Sequence, residues 1–219
     1  GHAVVASCEV RTSGYVLGAK LPDFATMCGA RLAEIDHPEL RAGIALHHHT
    51  HRVFHASSHF LALCGDARRD LLARGIGRGH AQAVGHVGVE LLLDGWLVEQ
   101  PKARETYAAA LRCGRHRELG QQIRWLEEGG RERWRRLHRR LEAHGPPEDY
   151  RDPTLVAARI ERILRDRPRL ALDARRTGIA TRYLPELQQA VHARGAALIA
   201  ELRRDLTDET GEPGPTPRG

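Results

Sequence analysis

The chain lacks several things, and each absence closes off a class of protein. Across its 219 residues there is no apolar run of about eighteen residues, the length a membrane-spanning helix needs. The start shows no charged-apolar-small signal pattern, and Gly1-His2 reads as a remnant of tag cleavage, so His2 is discounted as a ligand. Four cysteines (Cys8, Cys28, Cys64 and Cys113) stand apart from one another, with no C-x-x-C pair. That argues against a disulfide framework or a zinc-thiolate site and leads us to expect buried thiols in a reducing cytoplasm. Lysine is nearly missing: only Lys20 and Lys102 accompany the arginines, a bias that a GC-rich genome produces as readily as selection does. Alternating strand patterns and internal repeats are also missing.

What is present is a globular balance, 41% apolar and 28% charged, long enough to bury a substantial core without staples. The net charge of +6 favours an acidic or phosphorylated partner and does not by itself argue for nucleic acid. The basic stretch Arg131–Arg140 (RERWRRLHRR) reads as a solvated helix face.

Periodicity predicts an all-α chain: one helical domain over 3–206 and a polar, proline-rich tail over 207–219. Val4 to Tyr15 is ambiguous between strand and helix. Asp36–Pro38 should cap a helix that runs through Leu40, Ile44, His47, His51, His55 and His59. A loop is expected near Gly65–Asp66, then a short helical piece over Ala67–Leu72 closed by glycines 75, 77 and 79. Further helices are expected over Gln82–Val98, over 102–127 with Leu111, Leu119, Ile123 and Leu126 inward, over Arg131–Ala143, and over Leu155–Arg165. The last should run from Leu184 to Leu206, entered through Pro185. Oligomeric state stays open.

The chemistry sits in Leu46–Phe60, LHHHTHRVFHASSHF, which holds six of the fourteen histidines. On a helix His47, His51, His55 and His59 stand four apart and form one slowly drifting stripe, with His48 at its edge and His49 pointing away. HVGVELLLD repeats the logic with His86, Glu90 and Asp94, again four apart, on an otherwise apolar helix. His80 precedes them near the glycine turn. Burying such groups without partners costs roughly 2–7 kcal/mol each. Pairing or metal coordination removes most of that. Two such helices face to face supply nitrogen and oxygen ligands for Fe, Mn, Zn or Ni. An incidental surface cluster and a metal-free polar core are the competing readings. The pattern is neither H-E-x-x-H nor the Glu-x-x-His pair of ferritin-like bundles.

One further element, Gly18-Ala19-Lys20-Leu21-Pro22-Asp23-Phe24, resembles the G-N-L-x-x-D-F pattern of the acyl carrier protein phosphodiesterase family, with Ala19 in place of asparagine. Gly43-Ile44-Ala45-Leu46-His47 is similar to the opening of that family's G-I-x-x-H-R-x-I-D-x-x-x-D, with His48 replacing the arginine and His51 and His55 the two aspartates. His86 and Glu90 stand where D-x-x-x-D-H-F-L has carboxylates, Leu91 replaces its histidine, and Arg167-Pro168-Arg169-Leu170 resembles a C-terminal R-P-R-L. The family's N-terminal histidines have no counterpart around Val5–Ser7. The resemblance implies an HD-like helical fold and a divalent metal, manganese or similar. It also implies removal of a phosphopantetheine arm from an acidic carrier protein. Exchanging carboxylates for imidazoles moves the metal preference toward iron, zinc or nickel.

The candidate metal ligands are therefore Asp23, His47, His51, His55, His86 and Glu90, for one or two ions of Fe, Mn or Zn. Asp23 and Glu90 would serve catalysis, with Arg52, Arg78 or Lys20 meeting a phosphate. The substrate would be a phosphodiester or phosphorylated small molecule. Two alternatives stand beside this metal-dependent hydrolase: a diiron or mixed-metal redox enzyme, which Tyr15 or Cys28 near the site would support, and a non-enzymatic metal-binding protein with closed coordination.

Overall fold

The computed structural model describes residues 12–114 and 117–210. His2, Cys8, residues 4–11 of the ambiguous first segment and residues 211–219 of the expected tail lie outside them. The described residues are helical almost throughout, with no strand; only Leu32 and Trp125 form an isolated antiparallel bridge. None of these helices is long and apolar enough to cross a membrane.

Among the described residues nine α-helices follow in order: α1 Ser13–Met27, α2 Pro38–Ala56, α3 Ser58–Ala73, α4 Arg78–Val98, α5 Pro101–Cys113, α6 Arg117–Gln122, α7 Gly130–His144, α8 Pro153–Arg165 and α9 Ala174–Thr210. A 3-10 turn over Glu148–Arg151 precedes α8. Their starts use ordinary capping chemistry. Thr12 accepts from the Tyr15 amide, Asp152 from Thr154 and Asp173 from Arg176. Proline occupies the first turn of α2, α5 and α8, where its missing N–H costs nothing.

Among the described residues two apolar cores form. One gathers α3, α4, α8 and α9 around Phe60, Leu71, Leu92, Ile160 and Leu184, and Val53 and Phe54 of α2 join it. The other gathers α1, α5 and α7 around Leu17, Leu21, Phe24, Leu111 and Trp134, with Leu40 from the start of α2 and Ile35 and Ile123 from loops. Helix α2 thus belongs to both cores, and the histidine stripe lies on the helix that links them. Against α1 it packs backbone to backbone. A Cβ on Gly43 would lie 2.1 Å from the Tyr15 carbonyl oxygen, and one on Gly18 would lie 2.4 Å from that of Leu40.

Several expected elements are corrected. The histidine helix ends at Ala56, because Ser57 turns out of it (φ −56°, ψ 134°) and caps α3 through its side chain. Glu201 of α9 reinforces the corner: it accepts from the Ser57 hydroxyl at 2.5 Å, the Ser58 amide at 2.9 Å and hydroxyl at 2.6 Å, and the His59 amide at 3.2 Å. His59 therefore belongs to α3. Gly65–Asp66 is helical rather than a loop; Asp66 is held by Arg69 one turn on and by Arg194 of α9 at 2.8 Å. The span 102–127 divides, since Leu126 and Ala33 bond backbone to backbone with Arg31 and Arg124, which draws that stretch into extended pairing and leaves Leu126 exposed. Pro185 lies inside α9, which begins ten residues earlier than expected and continues past the expected tail boundary to Thr210.

Candidate metal centre

Three of the anticipated ligands converge. His55 of α2, His86 of α4 and Glu90 of α4 each offer one ligand atom, and the three atoms lie within 4.8 Å of one another. Both imidazole Nε2 atoms stand 3.5 Å from the same carboxylate oxygen, Glu90 Oε1. The two rings lie parallel, 5° apart in plane and 5.0 Å between centroids. All three groups are half-buried, so the cluster opens to solvent on one side. The helical period explains the set: His86 and Glu90 share a face one turn apart, and His55 comes across from α2. Helix α2 packs on α1 and α4 packs on α3, so α2 and α4 meet chiefly through these side chains.

The floor is aromatic. Phe60, fully buried on α3, meets the His55 ring at 5.0 Å and the His86 ring at 5.3 Å, both edge to face. Phe54 meets His55 at 5.2 Å and Phe60 at 4.3 Å. Rings held this way lose rotational freedom before any ligand arrives, which reduces the entropy that binding must overcome.

Electrostatics separate the two histidines. Burial lowers the pKa of His55 against the pull of Glu90, with His51 and His86 adding to the lowering. His55 is therefore a neutral imidazole near pH 7, the form a metal requires. His86 is raised, first by its hydrogen bond to Glu90 and against desolvation. A cation entering the cluster would replace that proton while keeping the favourable carboxylate.

The stripe continues without joining the trio. His51, exposed, stacks beside His55 at 4.3 Å between centroids and lies 6.2 Å from the His47 ring. His47 is buried, its Nδ1–H donating to the Ala19 carbonyl at 3.0 Å, which leaves Nε2 as the ligand-capable atom. Its pKa is lowered by burial, with Asp23 opposing and Lys20 reinforcing, so Asp23 and Lys20 attend His47. Eight residues of helix separate His47 from His55, about 12 Å. Asp23, His47 and Lys20 thus sit at the far end of the stripe from the convergent trio. Asp94, one turn beyond Glu90, lines a cavity there with Lys20.

Arg52 is exposed and folds along its own helix to the His48 carbonyl and to His49 Nδ1. Arg78 is exposed at the start of α4. His48 borders a separate groove of about 510 Å³ with Arg31, Glu34 and Arg41. Cys28 follows α1, where it is influenced by Arg133 and Glu127 rather than by the trio.

Sequence reasoning missed Phe60 and Cys64 beneath the cluster. Cys64 is buried beside the trio, and desolvation followed by the charge of Glu90 pushes its thiol up to about 12, so it stays protonated. Both residues lie four apart on α3; the signal was there once Ser58–Ala73 is read as one helix. No family model, no curated protein and no solved structure matches the chain.

Proposed function

We propose that this is a metal-dependent hydrolase whose ion is held by His55, His86 and Glu90. The observation that carries the reading is the convergence of three ligand atoms from two helices within 4.8 Å. Two imidazoles and one carboxylate form a known catalytic zinc donor set, which leaves a position for water. A divalent ion there would supply Lewis acidity and a water of lowered pKa at neutral pH. The chain's own groups do the rest. His55 and His86 supply neutral nitrogens, Glu90 offsets the charge, and the Phe54–Phe60 floor keeps water to the open side.

The substrate class we propose is a phosphodiester or a phosphorylated small molecule, on an acidic carrier or free. The net charge of +6 and the resemblance in the Gly18–Phe24 and Gly43–His47 segments support it. The same resemblance supports an HD-like arrangement of the helices. A second reading rests on the donor set itself, since two histidines and a carboxylate with open positions also suit a non-haem iron that activates dioxygen.

Elemental analysis of tag-free protein tests the proposal, with His55→Ala, His86→Ala, Glu90→Ala and His47→Ala measured beside it. We expect about one ion per chain in the wild type, loss in the first three variants and retention in His47→Ala. Zinc or manganese together with turnover of bis(p-nitrophenyl) phosphate supports hydrolysis, and iron transfers weight to the redox reading. Wild-type protein that stays metal-free after supplementation with each ion overturns both.

A further inference from the structure

The opposite end of the histidine stripe holds a buried cation that the metal centre does not use. Lys20 is only 7% exposed. It lines a cavity of about 40 Å³ with Asp94, Tyr107 and Arg104, walled by Leu97, Val98, Ala103, Pro146 and Pro147. Among the described residues Lys20 makes neither a hydrogen bond nor an ion pair, whereas Arg104 beside it is paired with Glu148. An ammonium carries three donors and is strongly hydrated, so burying it without acceptors is unfavourable unless something enters to supply them. Asp94 lines the same cavity.

We propose that this chamber binds the carboxylate group of a small organic acid, with Lys20 as its counter-charge. Size and charge together select the ligand. One water needs about 10–15 Å³ of such space, so the chamber holds about three or four atoms of that size. Acetate has four non-hydrogen atoms; phosphate has five. The local charge argues the same way, because Asp94 in the wall offsets Lys20 and disfavours a dianion. The remaining charges nearby are Arg104, whose guanidinium is already paired with Glu148, and Asp23, while His47 beside Lys20 is buried and neutral. Tyr107 supplies a further donor: burial, then Asp94, hold its phenol up at about 12, so its O–H persists at neutral pH. The apolar walls would meet the methyl group of acetate. The site is separate from the His55–His86–Glu90 cluster and does not depend on a metal there.

Thermal unfolding of metal-depleted protein tests this, titrated with acetate and phosphate against chloride at matched ionic strength. Acetate should raise the melting temperature saturably, and phosphate should act as chloride does. Lys20→Met should abolish the response while leaving the unliganded protein at least as stable, since it removes a buried unpaired charge. Asp94→Asn should tighten acetate binding about tenfold by removing a like charge. Glu90→Gln, which disables the metal cluster, should leave the acetate response intact. A wild-type response no larger than chloride's, a response that survives Lys20→Met, or a preference for phosphate overturns the assignment. If Lys20→Met fails to fold, Asp94→Asn decides: unchanged or weaker acetate binding refutes the proposal.

Discussion

Two glycine-to-alanine substitutions on neighbouring helices should move stability in opposite directions. At Gly43 an added Cβ would lie 2.1 Å from the Tyr15 carbonyl oxygen and 2.7 Å from the Ala19 nitrogen. Both are backbone atoms of α1, which cannot swing aside as a side-chain tip can, so α1 must retreat by about 1 Å along the whole contact. Overpacking of this kind costs about 1–3 kcal/mol, and a rigid backbone puts Gly43→Ala at the upper end. In a chain of this size each kcal/mol shifts the melting temperature by about 2–4 °C, so a fall of about 6–12 °C is expected. At Gly65 the same Cβ would meet nothing closer than the Arg69 guanidinium at 4.0 Å. Here alanine only removes the entropy cost of a helical glycine, worth about 0.5–1 kcal/mol, so Gly65→Ala should raise the melting temperature by about 1–4 °C. Differential scanning calorimetry reads both. A Gly43→Ala protein as stable as wild type would refute the close α1–α2 crossing. A Gly65→Ala protein that loses stability would show that Gly65 is not in a helix interior. The His47–Ala19 hydrogen bond spans the same crossing, so the His47 ring resonances should shift in Gly43→Ala and stay put in Gly65→Ala.

Other outcomes follow from the same contacts. In metal-free protein Glu90→Gln should lower the His86 pKa, because the raising agent is its bond to Glu90; a proton NMR titration that shows no fall would contradict that pairing. Metal affinity of the wild type should rise as pH climbs through the raised His86 value, above the usual imbidazole figure of about 6.5, since the ion competes with that proton. For Glu201, burial raises the carboxyl pKa, but hydrogen bonds from Ser57, Ser58 and His59 overcome this and bring it from 4.5 to about 2. The folded value is depressed, so its stabilisation is present above pH 4.5 and lost as pH falls toward 2. Solvent screening limits the effect to about 1 kcal/mol, and Glu201→Gln should flatten acid unfolding monitored by circular dichroism in that window. Phe60→Ala should cost about 3–5 kcal/mol and weaken metal binding as well, while Phe60→Leu should spare much of the stability and still weaken the metal; calorimetry and elemental analysis separate the two effects.

Helix existence was legible in the chain because periodicity reports burial, and burial is what most of these segments share. Val156, Ile160 and Leu164 repeat at helical spacing and are all buried in α8. Boundaries were legible only where the stopping residue acts locally. Pro38 and Pro153 start helices in their own first turns. The break at Ser57 was not legible, since half of its cause is Glu201, a residue 144 positions away. Gly65–Asp66 misled for the same reason: the turn-forming tendency of Asp66 is cancelled by Arg194, 128 positions along the chain.

The candidate site divides along the same line. That histidines and carboxylates alternate with apolar residues at helical spacing is a local fact, and it singled out His55, His86 and Glu90 among the candidates. Which members converge is a question of where two helices cross. Helix α2 is anchored at its start by Leu40 in one core and at its end by Phe54 in the other, so only its last turns come over α4. His55 lies in those turns and meets His86 and Glu90, while His47, two turns earlier, is committed to Ala19 of α1. A stripe drawn as four equivalent ligands therefore divides into two polar ends, His55 beside His86 and Glu90 at one and His47 beside Ala19 and Lys20 at the other. Moving the α1–α2 crossing should disturb the Lys20 chamber before it disturbs the metal cluster. Gly43→Ala is expected to weaken acetate binding while metal content stays at the wild-type value; equal loss of both would mean that the two ends of the seam form a single site.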